Sequence, residues 1–261
     1  PALVRKLAHR RFGVGADQIL ILAKSTRYDF KMEIYNADGG EVEMCGNGIR
    51  CLAKFIFDQH LSSRETLTIE TRAGLILPTL LLNHPGNNHD TLWVKVDMGE
   101  PILAGELIPT LGKGKIISSL LEPPLEAENI PESLRTRITA VSMGNPHCLI
   151  FVDDIGEVDV PTLGPMLETH VFFPRRTNVE FIQVENRQQI QLRVWERGAG
   201  ETMACGTGAC AAVVGAVLNN LVDRHTTVHL KGGTLEINWD EATNHVFMTG
   251  PATTVFAGEI L

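Results

Sequence analysis

The stretch DFKMEIYNADGGEVEMCGNG, Asp29 to Gly48, lies without a gap over QIQLRVWERGAGETMACGTG, Gln189 to Gly208. Both open on alternating apolar residues, Phe30, Met32 and Ile34 in one and Ile190, Leu192 and Val194 in the other. That period of two is the mark of a half-buried β-strand. A polar, glycine-rich turn follows in each copy, and then Cys-Gly-x-Gly, at Cys45 and again at Cys205. The likeness continues downstream, where LTIETRAGLILPTLL resembles TVHLKGGTLEINW and WVKVDMGEP resembles HVFMTGPA, all readable as hairpin strands. A repeat offset by 160 positions (Asp29 to Gln189) is too long for a solenoid unit and suits two similar domains.

Each cysteine leads into a helical pattern. Ile49, Leu52, Ala53 and Ile56 form an apolar stripe at helical spacing, and ACAAVVGAVL, Ala209 to Leu218, is apolar all round, as a fully enclosed helix would be. The remaining cysteines, Cys51, Cys148 and Cys210, stand in apolar surroundings and read as core. Between the copies, Ile102 to Arg137, with Gly112, Gly114 and EPPLEAENIPESL, reads as linker and loop.

Bulk properties narrow the field. A formal charge of -8 with scattered Lys and Arg argues against broad nucleic-acid binding, and no apolar run is long enough to cross a bilayer. Five cysteines, no CxxC pair and no signal-like N-terminus lead to the expectation of a reduced, cytoplasmic compartment.

A helix N-terminus presents unpaired N–H groups and a positive dipole end, so it suits a carboxylate and is expected to lower a thiol's pKa. Two such thiols match the demands of stereochemical inversion, in which a base removes a proton from one face of a carbon and an acid returns one to the other. No P-loop and no evident lysine site for pyridoxal phosphate is present, so no cofactor is expected. The N–H groups of Gly46, Asn47, Gly206 and Thr207 would then stabilise a substrate carboxylate as it gains enolate character. His147 in GNPHC and Glu196, nine residues before Cys205, are candidates for biasing which sulfur holds the proton.

Other readings fit less well. GTGACA matches a dinucleotide fingerprint formally, but RGAGETMA separates it from the preceding strand. HPGNNH, with His84 and His89, has the makeup of a surface turn and lacks zinc spacing. A cysteine hydrolase pairing Cys205 with His147, or a thiol redox protein, would need only one of the two motifs. A two-lobed binding protein without catalysis would have no use for both thiols.

With GVGADQ, NADGGEVEMCGNGIRC, VSMGNPHC, RTNVEF and WERGAGETMACGTGACA in this order, the chain closely resembles the diaminopimelate epimerases over essentially its whole length. These are pyridoxal-phosphate-independent enzymes that interconvert LL- and meso-diaminopimelate in lysine and cell-wall precursor biosynthesis. The resemblance implies an α/β (α+β) fold of two pseudo-symmetric lobes, each a curled, mostly antiparallel sheet around a central helix, with the active site in the cleft. On this basis residues 1–103 form the N-terminal lobe, 104–251 the linker and C-terminal lobe, and about 252–261 return to the first. It implies that Cys45 and Cys205 are the acid/base pair and that His147 and Glu196 tune them. Gln18, Asn36, Gly46, Asn47, Asn145, Asn178, Glu196, Arg197, Gly206 and Thr207 would line the substrate site, with Arg197 as a fork for the distal carboxylate.

No metal, nucleic acid or membrane is implied, and a homodimer is compatible with everything above. Proline racemases share the fold and the paired cysteines but typically carry CGHG where this chain has CGNG. The family's initial GNDF strand has no match here, and the repeat puts the counterpart of VSMGNPHC before Pro1; the expectation is a chain shortened at its N-terminus.

Overall fold

The structure is a computed structural model that describes residues 1–42, 46–121 and 137–260. It divides into two compact units, Pro1–Asp97 with Thr249–Leu261, and Met98–Met248.

In the first unit a short helix α1 (Ala2–Ala8) precedes strands β1 (Gln18–Ala23), β2 (Phe30–Asn36) and β3 (Glu41–Val42). Helix α2 (Gly46–Asp58) follows, then β4 (Ile69–Thr71), β5 (Gly74–Ile76), β6 (Thr79–Leu80) and β7 (Thr91–Asp97). The alternation read from the sequence is real: Met32 and Ile34 of β2 are buried. β2 pairs antiparallel with β1 and β3 and parallel with β4, which pairs antiparallel with β5. Helix α2 buries the expected stripe of Ile49, Leu52, Ala53 and Ile56. Cys51, expected in the core, is instead exposed. It falls between the stripe positions, on the side of α2 that also exposes Phe55.

The second unit contains β8 (Ser119–Leu120), β9 (Arg137–Ser142), β10 (Pro146–Val152), helix α3 (Val160–Glu168), β11 (Asn178–Asn186), β12 (Gln189–Glu196) and β13 (Gly200–Thr202). Helix α4 (Gly206–Leu218) and strands β14 (His225–Leu230) and β15 (Gly233–Trp239) complete it, and β16 spans Val246–Thr253. Here β12 pairs antiparallel with β11 and β13 and parallel with β14, which pairs antiparallel with β15. The pairing of β1 to β5 is thus repeated by β11 to β15. Even the turn is copied: the N–H of Gly39 bonds the carbonyl of Asn36, and that of Ala199 bonds the carbonyl of Glu196. β10 lies on the far side of β11 in parallel, and β9 pairs antiparallel with β10 through a turn at Gly144, whose φ of 92° suits glycine.

Helix α4 has every residue from Ala209 to Ala216 buried, as its all-round apolar sequence requires. A separate core of the unit joins Ile138, Cys148, Leu163, Val179 and Phe181 with Ile108, Ile116 and Leu121. The last three lie in the segment expected to be linker. The described part of it, 102–121, packs because these three apolar side chains bury fully; EPPLEAENIPESL lies outside the described residues.

Two predictions follow from this packing. Asp29 accepts bonds from the Thr68 N–H at 2.9 Å and hydroxyl at 2.7 Å, and from Arg64 at 2.7 Å, stitching the start of β2 to β4. The Thr68 bonds, the backbone one foremost, hold its carboxyl below the usual range. A lowered folded pKa gives stability that is present above the unfolded value of about 3.9 and is lost as pH falls through the folded value. Asp29→Asn should therefore cost about 1 kcal/mol in urea unfolding at pH 7, and the difference from wild type should shrink below about pH 4. Separately, a Cβ at Gly164 would fall 2.4 Å from the Trp195 ring, so Gly164→Ala should destabilise by about 1–3 kcal/mol and lower Tm.

Candidate active site

Cys205 is the N-cap residue of α4, with extended φ and ψ of -125° and 115° and its carbonyl accepting from the Ala209 N–H at 2.9 Å. Its sulfur faces Thr207, whose hydroxyl lies 3.4 Å away. Cys205 is buried, and burial pushes its thiol well above the ordinary value. Glu196 raises it further, while the Thr207 hydroxyl and the Gly208 N–H pull the other way without prevailing. The expectation of a thiol lowered by the helix end is thus corrected: in this arrangement desolvation, with Glu196 adding, outweighs the favourable groups and favours the protonated thiol. Gly206 is buried and Thr207 half-buried in the first turn of the same helix.

The neighbouring strands carry the other candidate residues of this unit, of which Glu196 lies near enough to act on the Cys205 thiol. His147 and Asn178 are direct partners across β10 and β11. His147 is fully buried, with Nδ1 2.6 Å from Glu180 Oε1 and Nε2 3.0 Å from Asn145 Oδ1. Asn178 uses both ends of its amide: Nδ2 donates to the Pro146 carbonyl at 3.0 Å and Oδ1 accepts the Arg197 N–H at 2.9 Å. Glu196, half-buried at the end of β12, accepts from the Thr202 hydroxyl at 2.6 Å. Arg197 is exposed, and its guanidinium donates to the Arg175 carbonyl at 3.1 Å.

Two acids absent from the sequence reading support this group. Glu168, at the end of α3 and buried, accepts the Trp195 indole N–H at 2.7 Å and the Gly198 N–H at 3.1 Å, and so clamps both sides of the turn that carries Glu196 and Arg197. Glu180 is buried between His147 and α4. A Cβ at Gly208 would fall 2.9 Å from its Oε1 and 3.4 Å from the Cys205 sulfur, which explains the last glycine of this Cys-Gly-x-Gly. The available signal was an acid amid the apolar run of NVEFIQV, where a strand buried on both faces must satisfy or neutralise it.

In the first unit, Gln18 and Asn36 face each other across β1 and β2, and Gln18 Nε2 donates to Asn36 Oδ1 at 3.0 Å. Under the 160-residue offset Gln18 corresponds to Asn178 and Asn36 to Glu196, so the two units carry polar pairs at matching strand ends. Gly46 and Asn47 form the first turn of α2, where the buried Arg50 donates to the Gly46 carbonyl and, at 3.3 Å, to that of Pro251 in the same unit. Cys45 lies outside the described residues. Among the described residues no helix is long and apolar enough to cross a membrane.

A family model described as diaminopimelate epimerase matches residues 1–104 and 139–255. A diaminopimelate epimerase of Moorella thermoacetica is 51% identical over 99% of this chain and 89% of its own length. One from Methanococcus maripaludis is 45% identical over 98% and 88%. Among solved structures, a Bacillus anthracis phenazine biosynthesis protein of the PhzF family superposes with TM-score 0.65 at 17% identity, covering 97% of this chain and 87% of that one. A probable proline racemase from Agrobacterium radiobacter reaches 0.62 at 15% identity, over 99% and 80%. At such identities these two establish the fold alone, an α/β architecture with a duplicated sheet-and-helix pattern. The family match and the near-complete alignment with its curated members establish more: the chain belongs to the diaminopimelate epimerase family of isomerases.

Proposed function

We propose that this protein interconverts LL- and meso-diaminopimelate without a cofactor, in lysine and cell-wall precursor biosynthesis, with Cys45 and Cys205 as the acid/base pair. The observation that carries the reading is the setting of Cys205. It is a buried thiol at the head of an enclosed helix, held protonated beside a hydroxyl, in a motif the chain repeats at Cys45.

The chemistry divides between the thiols by their protonation. A thiolate takes the proton from the substrate α-carbon, and the electron pair left behind spreads into the adjacent carboxylate. A thiol then delivers a proton to the opposite face of that carbon, which inverts it, and the sulfurs end with their proton states exchanged. One thiol starts as the base and the other as the donor, and the two exchange roles between the forward and reverse directions. The N–H groups of Gly206 and Thr207, and of Gly46 and Asn47, lie in the first turns of α4 and α2, where a carboxylate gaining negative charge is stabilised. Gln18, Asn36, Asn145, Asn178, Glu196 and Arg197 are the proposed polar contacts to the substrate, with Arg197 offering the fork for the distal carboxylate. Asn178 retains one amide hydrogen beyond its bond to Pro146. A soluble cytoplasmic location is part of the same proposal, as is action on a small molecule rather than on nucleic acid.

Incubating LL-diaminopimelate with the protein in heavy water tests the reaction: the meso product should carry one deuterium at the inverted carbon, and product without it would overturn the mechanism. Cys45→Ala and Cys205→Ala should each lower kcat at least about a thousandfold, the scale of losing an acid or base group. Near-normal turnover by either variant would exclude a two-thiol mechanism. The raised Cys205 pKa should appear in alkylation by iodoacetamide followed by mass spectrometry. The rate at Cys205 should keep rising with pH past the ordinary thiol midpoint of about 8.5, and a midpoint at or below that value would contradict the protonated resting thiol.

A further inference from the structure

Glu180 has no part in the reaction as described, yet it is among the most enclosed charged side chains in the second unit. Its Oε1 is bonded to His147 Nδ1, and its Oε2 is buried with no hydrogen-bond partner. The groups facing it are His147 and Cys148 from β10, Glu196 from β12 and Cys205 from α4. Among the described residues none is a Lys or Arg bonded to it.

The bonds of His147 restrict where the protons can be. Nε2 faces an amide oxygen, an acceptor, so Nε2 must carry a hydrogen. Nδ1 faces a carboxyl oxygen, and a single proton has to lie on that line. Either Nδ1 carries it, giving an imidazolium against a carboxylate, or Glu180 carries it, giving a carboxylic acid that donates to a neutral imidazole. The first option leaves a carboxylate with one naked oxygen in an apolar interior, facing the negative charges that Glu196 and a Cys205 thiolate would bring. The second leaves no formal charge. Burial chiefly, with Glu196 adding, raises the Glu180 carboxyl above its usual range even against the pull of His147.

We propose that Glu180 is a positioning residue for Cys205: as a carboxylic acid it donates to His147 Nδ1 and fixes the imidazole as the neutral Nε2–H tautomer bonded to Asn145. The assignment rests on the two-thiol reading above for its role, though not for its geometry. Its consequence is that the thiol loses and regains its proton next to an uncharged acid–imidazole pair. The same pair fixes Asn145, one of the proposed substrate contacts, through His147.

Nitrogen-15 NMR of the imidazoles at pH 7, with His147→Gln used to assign the signal, reads the tautomer without reference to activity. The expected result is a neutral ring with Nδ1 as acceptor and Nε2 protonated, retained in Glu180→Gln, whose amide N–H can donate in place of the acid. An imidazolium or an Nδ1–H ring would overturn the proposal. In turnover, Glu180→Ala should lower kcat by about a hundredfold with KM within about threefold, since the imidazole and Asn145 lose their fixed orientation. Glu180→Gln should restore most of that loss. A Gln variant no better than Ala would mean that an ionised carboxylate is what the site uses, and would also overturn it. If the Ala variant does not fold, the comparison of wild type with Gln and the spectrum of the wild type decide the matter. Absence of epimerisation by the wild type would instead remove the reaction assignment, and the tautomer would still place the proton.

Discussion

The parallel ladder between β10 and β11 is the constraint on which the second unit's site depends. By setting His147 opposite Asn178 it decides that the imidazole meets Glu180, two residues further along the same strand and on the same face. β11 then pairs with β12 on its other edge, Val179 opposite Trp195, which brings Glu196 and the Arg197 N–H to the Asn178 end. A slip of one residue in either ladder would turn every one of these side chains to the other face. The apolar residues interleaved with them, Cys148, Val179 and Phe181, are buried in the unit's own core, and their burial is what resists the slip.

Polar groups in this interior are tolerable because nearly all of them are answered. Asn178 spends both ends of its amide, Glu168 accepts from an indole and a backbone N–H, and His147 is bonded at both nitrogens. Among the described residues of this unit, the bare atom is Glu180 Oε2. A buried group left short of a partner costs least when it carries no charge, so the same burial that holds Cys205 as a thiol favours Glu180 as an acid. The electrostatic character of this half-site is thus that of a dry interior in which protons stay put until substrate chemistry moves them.

Much of this could be read in the sequence, for reasons that are local. The period-two strands, the helical stripe after Cys45, the apolar helix after Cys205 and the copied glycine turn are each written in consecutive residues, and the repeat made them visible twice. What could not be read depended on the third dimension. Cys51 has apolar neighbours in sequence but points away from them on the helix. Ile108, Ile116 and Leu121 have no period, because an irregular segment can bury single side chains without one. The sign of the Cys205 shift is set chiefly by burial, with Glu196 adding to it, and both come from the packing of the strands, whereas the sequence showed only the helix end. Glu180 could be placed only once the start of β11 proved to be buried on both faces.

Gly208 ties this arrangement to a second position. The space a side chain would occupy there is already taken by a carboxyl oxygen from a strand far away in the sequence. A lineage that shortened the residue at 180 would gain room at 208, and one that enlarged 208 first would have to evict the acid. What is tolerated at 208 is therefore decided by what stands at 180, a coupling made through space rather than along the chain.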